Sequence, residues 1–219
     1  MKNKKIFFFA LLSLVFSQKA SAFCESMATR VYIDMMPGNP TYITTRSRQD
    51  FMASSTQKIS PNTLGLTVAK LTIQGRPDPI VDVVSENGFM CAELKTIRFK
   101  MGYDTGAIQV FIDKKYPRHS CEYEVIKKHE NYHVQVAQQA MKFFKPDVEK
   151  RIYDSIAQLR PKKVATVEEY QQEIERQYQK IIQDLKPLIQ HINEVIAEKN
   201  YEIDTPESYR ATTELCQNW

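Results

Sequence analysis

Three of the four histidines in this chain fall close together, at positions 119, 129 and 133. Two of them frame the string H-E-x-x-H, which is formed by His129, Glu130 and His133. Residues four apart on a helix lie on the same face, so both imidazoles can bind a single metal ion. Glu130 can then act as a general base toward a water molecule at that ion. We therefore predict a metal site with His129 and His133 as ligands and Glu130 as the catalytic residue.

The residues around this motif predict a helix that covers residues 122 to about 144. Apolar or motif residues recur there with a period of about 3.6, and both histidines lie in register with the apolar stripe. Ser120 can cap the start of the helix, and Glu122 and Glu124 suit its positive end. Because Pro146 disfavours helical geometry at Lys145, we predict that the helix ends there.

Further helices are predicted downstream of the motif. One should cover residues 147–159, and a long one should run from residue 167 to about 200. Pro187 lies inside the second of these and predicts a bend or a break. Residues 204–207 predict a new helix start, with a threonine as the cap and a proline at the first helical position.

The chain ahead of the motif predicts strands. They cover residues 30–35, 41–45, 64–74, 80–85, 89–99 and 107–113. Pro37-Gly38-Asn39-Pro40 has the composition of a turn, and Asn87-Gly88 is a strong hairpin signal. Residues 46–62 are polar and predict a connection with about one helical turn. Ile108, Val110 and Ile112 alternate with Gln109, Phe111 and Asp113, which indicates a strand with one buried face.

This order of elements predicts an α+β fold, in which N-terminal antiparallel strands precede a helical half that carries the H-E-x-x-H helix. The length suits one domain that buries a sizeable core. We expect this domain to cover residues 23–219, with strands in about 23–117 and helices in about 120–219.

Residues 1–22 have the pattern of a secretory signal. Lys2, Lys4 and Lys5 precede an apolar run at residues 6–16, and Ala20-Ser21-Ala22 is a small-x-small cleavage site. We expect cleavage after Ala22 and an exported, periplasmic or secreted protein without a stable membrane anchor. The whole chain has 30 basic and 26 acidic side chains, and four lysines lie in this segment. The remainder is balanced in charge, so nothing favours a nucleic-acid partner.

Four cysteines in an exported chain indicate two disulfides. Cys24 and Cys216 lie near the two ends of the chain that remains after cleavage, whereas Cys91 and Cys121 flank its middle. We favour the pairs Cys24–Cys216 and Cys91–Cys121. The two other connectivities and free thiols remain open, because sequence alone does not fix connectivity.

An H-E-x-x-H helix that follows a strand resembles the zincin metallopeptidases. More narrowly, the chain is similar to a bacterial family of uncharacterised exported proteins that are predicted to be zinc-dependent proteases. The similarity lies in Tyr116-Pro117 and Ser120-Cys121, in the motif helix at residues 129–134 and in residues 204–209, and it covers much of residues 90–216. The resemblance implies a zincin-like fold and a bound Zn²⁺.

A catalytic zinc usually has three protein ligands and a water molecule, so a third ligand is needed. The metzincin extension would place Gly at position 136 and His at position 139, but the chain has Val136 and Gln139. That subgroup is therefore excluded. In glutamate-type zincins the third ligand lies on a later helix, and the candidates here include Glu149, Asp154 and Glu207. Glu207 is slightly favoured, although an acidic residue in a first helical turn is explained equally well by the helix dipole.

Three other residues bear on the site. Tyr209 is the first tyrosine to consider as a hydrogen-bond donor in a transition state, although such tyrosines more often serve packing. His119 is expected to be an exposed loop residue beside the site, and His191 a partly exposed residue of the long helix.

Two functions follow from these observations. The first is an exported zinc metallopeptidase that hydrolyses peptide or protein substrates through a zinc-activated water, with the strand at residues 107–113 offering a free edge to the substrate. The alternative is a catalytically inactive, zincin-like envelope protein that acts as a binding or structural module.

Overall fold

The structure is a computed structural model that describes residue 24, residues 28–54, 63–78 and 89–217, and residue 219. The secretory signal, its cleavage site and the strand and hairpin turn at residues 80–88 lie outside the described residues. Strands dominate the first half of the chain and helices the second. The α+β class predicted from the sequence is therefore confirmed.

The described part of the chain contains eight strands and four helices. In chain order these are β1 (Arg30–Met36), β2 (Thr41–Ile43), α1 (Arg48–Ser54), β3 (Gly65–Ala69), β4 (Thr72–Asp78), β5 (Met90–Ala92), β6 (Thr96–Gly102), β7 (Ile108–Ile112), α2 (Cys121–Ile156), β8 (Lys162–Val164), α3 (Val167–Ile203) and α4 (Pro206–Thr213).

These strands form three small sheets, with the orders β1-β6-β4, β2-β7-β3 and β5-β8. The sequence predicted antiparallel strands, but β1 pairs with β6 and β2 with β7 in parallel. The other three pairs are antiparallel. The turn at residues 37–40 carries the chain from one sheet into another, so β1 and β2 each pair with a strand that lies much later in the sequence.

The strand predicted at residues 64–74 is in fact two strands, β3 and β4, which belong to different sheets. The break falls at Leu71, whose side chain is fully buried. The side chain of Asn193 on α3 accepts a hydrogen bond from the Leu71 backbone N–H at 3.0 Å and donates one to its carbonyl at 3.1 Å. These bonds satisfy the backbone of Leu71, so the chain can leave one sheet for the other without burying an unpaired polar group.

The prediction that residues 107–113 offer a free strand edge was wrong. Strand β7 occupies these residues as expected, but it lies in the middle of its sheet, between β2 and β3. Ile108, Val110 and Ile112 are fully buried on one face, and Phe111 packs with Phe51 on the other. In the described part of the chain, β3 stands at the edge of this sheet beside α2.

Helix α2 begins as predicted, because the side chain of Ser120 accepts a hydrogen bond from the backbone N–H of Tyr123. It does not end before Pro146, so the two helices predicted at residues 122–144 and 147–159 are one. A proline inside a helix costs about 3 kcal/mol. Phe144, Val148 and Ile152 continue one buried stripe across it, and each such burial contributes about 1.5–3 kcal/mol. Packing therefore outweighs the local cost.

Helices α2 and α3 pack together and run antiparallel. Ser155 bonds to Asp184 near one end, and Asn200 bonds to His133 near the other. Helix α3 continues through Pro187 without a break. As a consequence, the C-terminal end of α3 lies beside the H-E-x-x-H segment of α2. The predicted start of α4 is confirmed, because Thr205 caps it by accepting from the N–H of Ser208, and a proline opens the helix.

The two disulfides join Cys24 to Cys91 and Cys121 to Cys216. The favoured pairs Cys24–Cys216 and Cys91–Cys121 were therefore wrong. Cys121 is the first residue of α2, and Cys216 follows α4, which packs against α2. This packing brings the two cysteines together, with their Cα atoms 5.9 Å apart. The presence of two disulfides is consistent with an exported protein.

In the part of the chain that the structure describes, every helix is too short or too polar to cross a membrane.

Candidate metal centre

His129 and His133 turn toward a single carboxylate oxygen, Oδ1 of Asp204. The Nε2 atom of His129 lies 3.0 Å from it, and the Nε2 atom of His133 lies 3.1 Å from it. The two imidazole rings stand edge to face with centroids 5.1 Å apart. These three side chains form a group whose ligand atoms all lie within 4.8 Å of one another and that could hold a metal ion. The structure thus brings together both histidines of the motif.

The distances between these donors are compatible with a bound metal ion. In a tetrahedral zinc site with ligand distances of about 2.0–2.2 Å, neighbouring donor atoms stand about 3.3–3.6 Å apart. The distances from the Asp204 oxygen to the two imidazole nitrogens are shorter than this by only a few tenths of an ångström. Two imidazoles and one carboxylate also form a donor set that zinc and related first-row ions accept.

The third member of the group was not among the predicted ligands. Glu149 is paired with Lys145, and Asp154 bonds to Lys150, both one helical turn away on α2. Glu207 is exposed in the first turn of α4. Asp204 stands three residues before Glu207, in the same segment whose sequence predicts a helix start. Asp204 is the C-cap of α3. Its contact with His129 and His133 depends on how α3 packs against α2, which the sequence does not show.

Asp204 is held in place by bonds from both sides. Its backbone N–H bonds to the carbonyl of Asn200, and the hydroxyl of Tyr209 donates to Oδ1 at 2.7 Å. The Tyr209 hydroxyl also lies 3.2 Å from that of Thr63, and its ring lies 5.2 Å from the ring of His129. Burial raises the pKa of Tyr209, so the phenol keeps its proton and remains a donor. Tyr209 therefore lies in direct contact with the cluster.

The electrostatics of the cluster keep Asp204 ionised. Burial would raise its pKa, but the hydrogen bonds from His129 and His133 outweigh burial and lower it. For His133, burial would lower the pKa, but the bond to Asp204 and the charge of Glu130 outweigh burial and raise it. The cluster is therefore a preformed arrangement of one carboxylate between two imidazoles.

Glu130 lies on the side of α2 that faces β3 and is only 1% exposed. Its Oε2 accepts a hydrogen bond from the hydroxyl of Thr67 at 2.8 Å. Burial raises the pKa of Glu130, and the neighbouring charges of His133 and His129 partly oppose this effect. The carboxylate is thus desolvated, and it is close enough to both histidines to interact with them electrostatically.

The remaining two histidines lie elsewhere. His119 is 90% exposed in the turn before α2, where its backbone has a positive φ of 71°, and its ring is 3.9 Å from Glu124. His191 is exposed on α3, with its ring 6.2 Å from that of Phe144. Neither belongs to the group that could hold a metal ion.

Fold and site together define an α+β protein in which a long helix and the end of an antiparallel partner helix form a His-His-Asp cluster. None of the protein-family models, curated proteins or solved structures compared with this chain matches it.

Proposed function

We propose that this protein is an exported, zinc-dependent metallopeptidase that hydrolyses peptide bonds. The observation that carries the proposal is the convergence of both motif histidines on Asp204, with the buried carboxylate of Glu130 next to them on the same helix. Export is supported by the two disulfides and by the signal-like pattern of residues 1–22. The zincin-like character of the fold is part of the same proposal.

The ion would be held by Nε2 of His129, Nε2 of His133 and a carboxylate oxygen of Asp204. Three protein ligands are the usual number for a catalytic zinc, since the fourth position is kept for water or substrate. When bound, zinc lowers the pKa of a coordinated water toward 7 and polarises the carbonyl group that is attacked. Asn200 accepts a hydrogen bond from Nδ1 of His133, which leaves Nε2 of that ring to serve as the ligand.

Glu130 is the proposed general base. Burial raises the pKa of its carboxyl group, and a base is most effective when its pKa lies near the working pH. Glu130 would take a proton from the attacking water and return it to the leaving amine. Acid–base catalysis of this kind contributes a factor of about 10² to 10⁴ in rate.

A second function has an observation in its favour. His129 and His133 are only 6% and 4% exposed, and both hydrogen-bond to Asp204 within the cluster. A site so well enclosed also suits a structural metal, or none, in an inactive binding module. The two functions therefore differ in whether a peptide can reach this enclosed site.

The deciding experiment combines metal analysis with peptide cleavage on the purified, disulfide-bonded protein. The variant Glu130→Gln removes the proposed base, and Glu124→Gln makes the same change at a half-exposed position of the same helix. The peptidase proposal expects about one zinc per chain, cleavage that a chelator blocks, and loss of turnover in Glu130→Gln alone. Zinc without cleavage favours the structural role, and absence of any bound metal contradicts the proposed zinc site.

A further inference from the structure

Strand β3 presents different residues to its two sides, because side chains alternate along a strand. Leu66 packs into an apolar cluster with Phe51 and Phe111. Positions 65 and 67 face the opposite side, toward α2, and both Gly65 and Thr67 lie close to Glu130. The side of β3 that faces the motif helix is thus formed by a residue without a side chain and by a small hydroxyl residue.

The hydroxyl of Thr67 makes two contacts with the same residue of α2. It lies 2.8 Å from Oε2 of Glu130 and 3.2 Å from the backbone carbonyl of Glu130. The hydroxyl has one hydrogen to donate, and Oε2 is the nearer acceptor. Thr67 is itself buried, so water does not compete for this hydrogen. Thr67 therefore fixes the carboxylate of Glu130 relative to the helix backbone.

Gly65 leaves the space that the Glu130 side chain fills. A Cβ atom at position 65 would lie 2.7 Å from Oε1 of Glu130 and 2.9 Å from both Cγ and Cδ. These distances are shorter than real carbon contacts permit, so any side chain there would displace the carboxylate. The backbone of Gly65 does not have a positive φ, unlike that of Gly38, Gly102 and Gly106. The need for glycine at position 65 is therefore one of space, not of conformation.

Packing alone does not favour these two residues. Glycine inside a strand is destabilising by about 0.5–1 kcal/mol relative to alanine. A valine or isoleucine pair on this side of β3 would suit the strand better and would bury more apolar surface against α2. Instead, Gly65 leaves space for the side chain of Glu130, and Thr67, two residues later, donates a hydrogen bond to it.

We propose that Gly65 and Thr67 are positioning residues for Glu130. Together they hold its carboxylate in one orientation beside His129 and His133, with Gly65 providing the room and Thr67 the hydrogen bond. The catalytic consequence rests on the proposed peptidase function, whereas the positioning itself does not.

Activity measurements test the catalytic consequence. Thr67→Val keeps the shape of the side chain and removes the hydroxyl, Thr67→Ser keeps the hydroxyl, and Thr41→Val makes the control change at an exposed position of β2. We expect Thr67→Val to lower kcat by about 10- to 100-fold, the usual effect of losing a residue that orients a metal-site group. KM and zinc content should not change, and Thr67→Ser and Thr41→Val should retain activity. Full activity in Thr67→Val, or no rescue by serine, overturns the catalytic role.

A second measurement uses the metal-free protein and does not depend on activity. Thr67→Val is compared by urea unfolding in two backgrounds, the native chain and Glu130→Met, which has a side chain of similar length without carboxylate oxygens. We expect Thr67→Val to lower the unfolding midpoint more in the native chain than in the Glu130→Met background, because the bond to the carboxylate exists only in the native chain, whereas the backbone carbonyl of residue 130 is present in both. Equal effects in both backgrounds overturn the positioning. If the native protein cleaves no peptide, the peptidase proposal fails, and this comparison still decides whether Thr67 holds Glu130.

Discussion

Nδ1 of His133 lies 3.1 Å from Oδ1 of Asn200, a residue one helical turn before Asp204 on α3. The last turn of α3 thus contacts both ring nitrogens of His133: Asn200 contacts Nδ1, and Asp204 contacts Nε2. An acceptor on Nδ1 keeps the proton on that nitrogen, so the proton that Nε2 shares with Asp204 is the one that a metal ion would displace. Asn200 therefore orients His133 as a ligand through Nε2.

The first prediction concerns Asn200. Asn200→Leu removes the acceptor and should weaken zinc binding by about 10- to 100-fold, the usual cost of losing such a partner. Asn200→Asp keeps an acceptor at the same place and should bind zinc at least as well as the native protein. Competition with a zinc-binding dye measures both affinities, and circular dichroism checks that the helices persist. Equal affinities in the two variants would show that Asn200 does not orient His133.

The second prediction identifies the third ligand. Asp204→Asn preserves the size of the side chain and removes its charge, so we expect most of the bound zinc to be lost. Glu207→Gln changes an exposed acid in the same segment and should leave zinc content at the native level, as should Glu149→Gln. The measurement is elemental analysis of each purified variant. Zinc loss in Glu207→Gln but not in Asp204→Asn would assign the ligand to the residue that the sequence favoured.

The features that the sequence predicted well depend on contacts a few residues away. The caps Ser120 and Thr205 each bond to a backbone N–H three residues on, and the H-E-x-x-H spacing places His129 and His133 on one helix face. Such contacts follow from local geometry. The α+β order could also be predicted, because the change from strand to helix pattern falls in one place.

The features that the sequence missed depend on contacts between distant segments. Asp204 becomes a ligand candidate only because α3 runs antiparallel to α2 and ends beside His133. The helix continues through Pro146 because α3 covers the stripe on both sides of it. Strand β8 has three residues, too few for a periodic pattern, and forms only by pairing with β5. Gly65 and Thr67 carry a faint signal, since they are the small residues that alternate with the apolar residues of this strand.

The third prediction separates the two disulfides. Cys121–Cys216 spans 95 residues and ties the end of α4 to the start of α2, and the segment so held includes Asp204 and Tyr209. Cys24–Cys91 spans 67 residues and does not enclose any of the three proposed ligands. Losing either bridge should lower the free energy of unfolding by about 2–5 kcal/mol.

Only the loss of Cys121–Cys216 should also weaken zinc binding, because only that bridge restrains the third ligand. The paired variants Cys121→Ser/Cys216→Ser and Cys24→Ser/Cys91→Ser are compared by urea unfolding and by zinc titration at a temperature where both are folded. The same zinc affinity in both variants would contradict the proposed restraint.

Glu173 on α3 provides a titratable group far from the candidate metal centre. It is buried, and its two oxygens accept hydrogen bonds from the guanidinium of Arg176 and one from Gln177, while Lys162 lies 3.5 Å away. The bond from Arg176 lowers the pKa of Glu173, burial opposes this, and the bond from Gln177 lowers it further. Gln177 in turn bonds to Ala92 and Leu94 at β5, so Glu173 supports the contact between α3 and that strand.

The fourth prediction follows from the sign of this pKa shift. A carboxyl group whose pKa is lower in the folded state stabilises the fold above its unfolded pKa of about 4.3, and this contribution is lost as the pH falls through the folded pKa. The native protein should therefore lose stability more steeply below about pH 4.3 than Glu173→Gln, which cannot titrate there. Glu175→Gln changes an exposed acid on the same helix and should keep the native pH dependence. Urea unfolding between neutral and acid pH measures all three proteins, and parallel curves for the native chain and Glu173→Gln would show that Glu173 does not contribute to acid sensitivity.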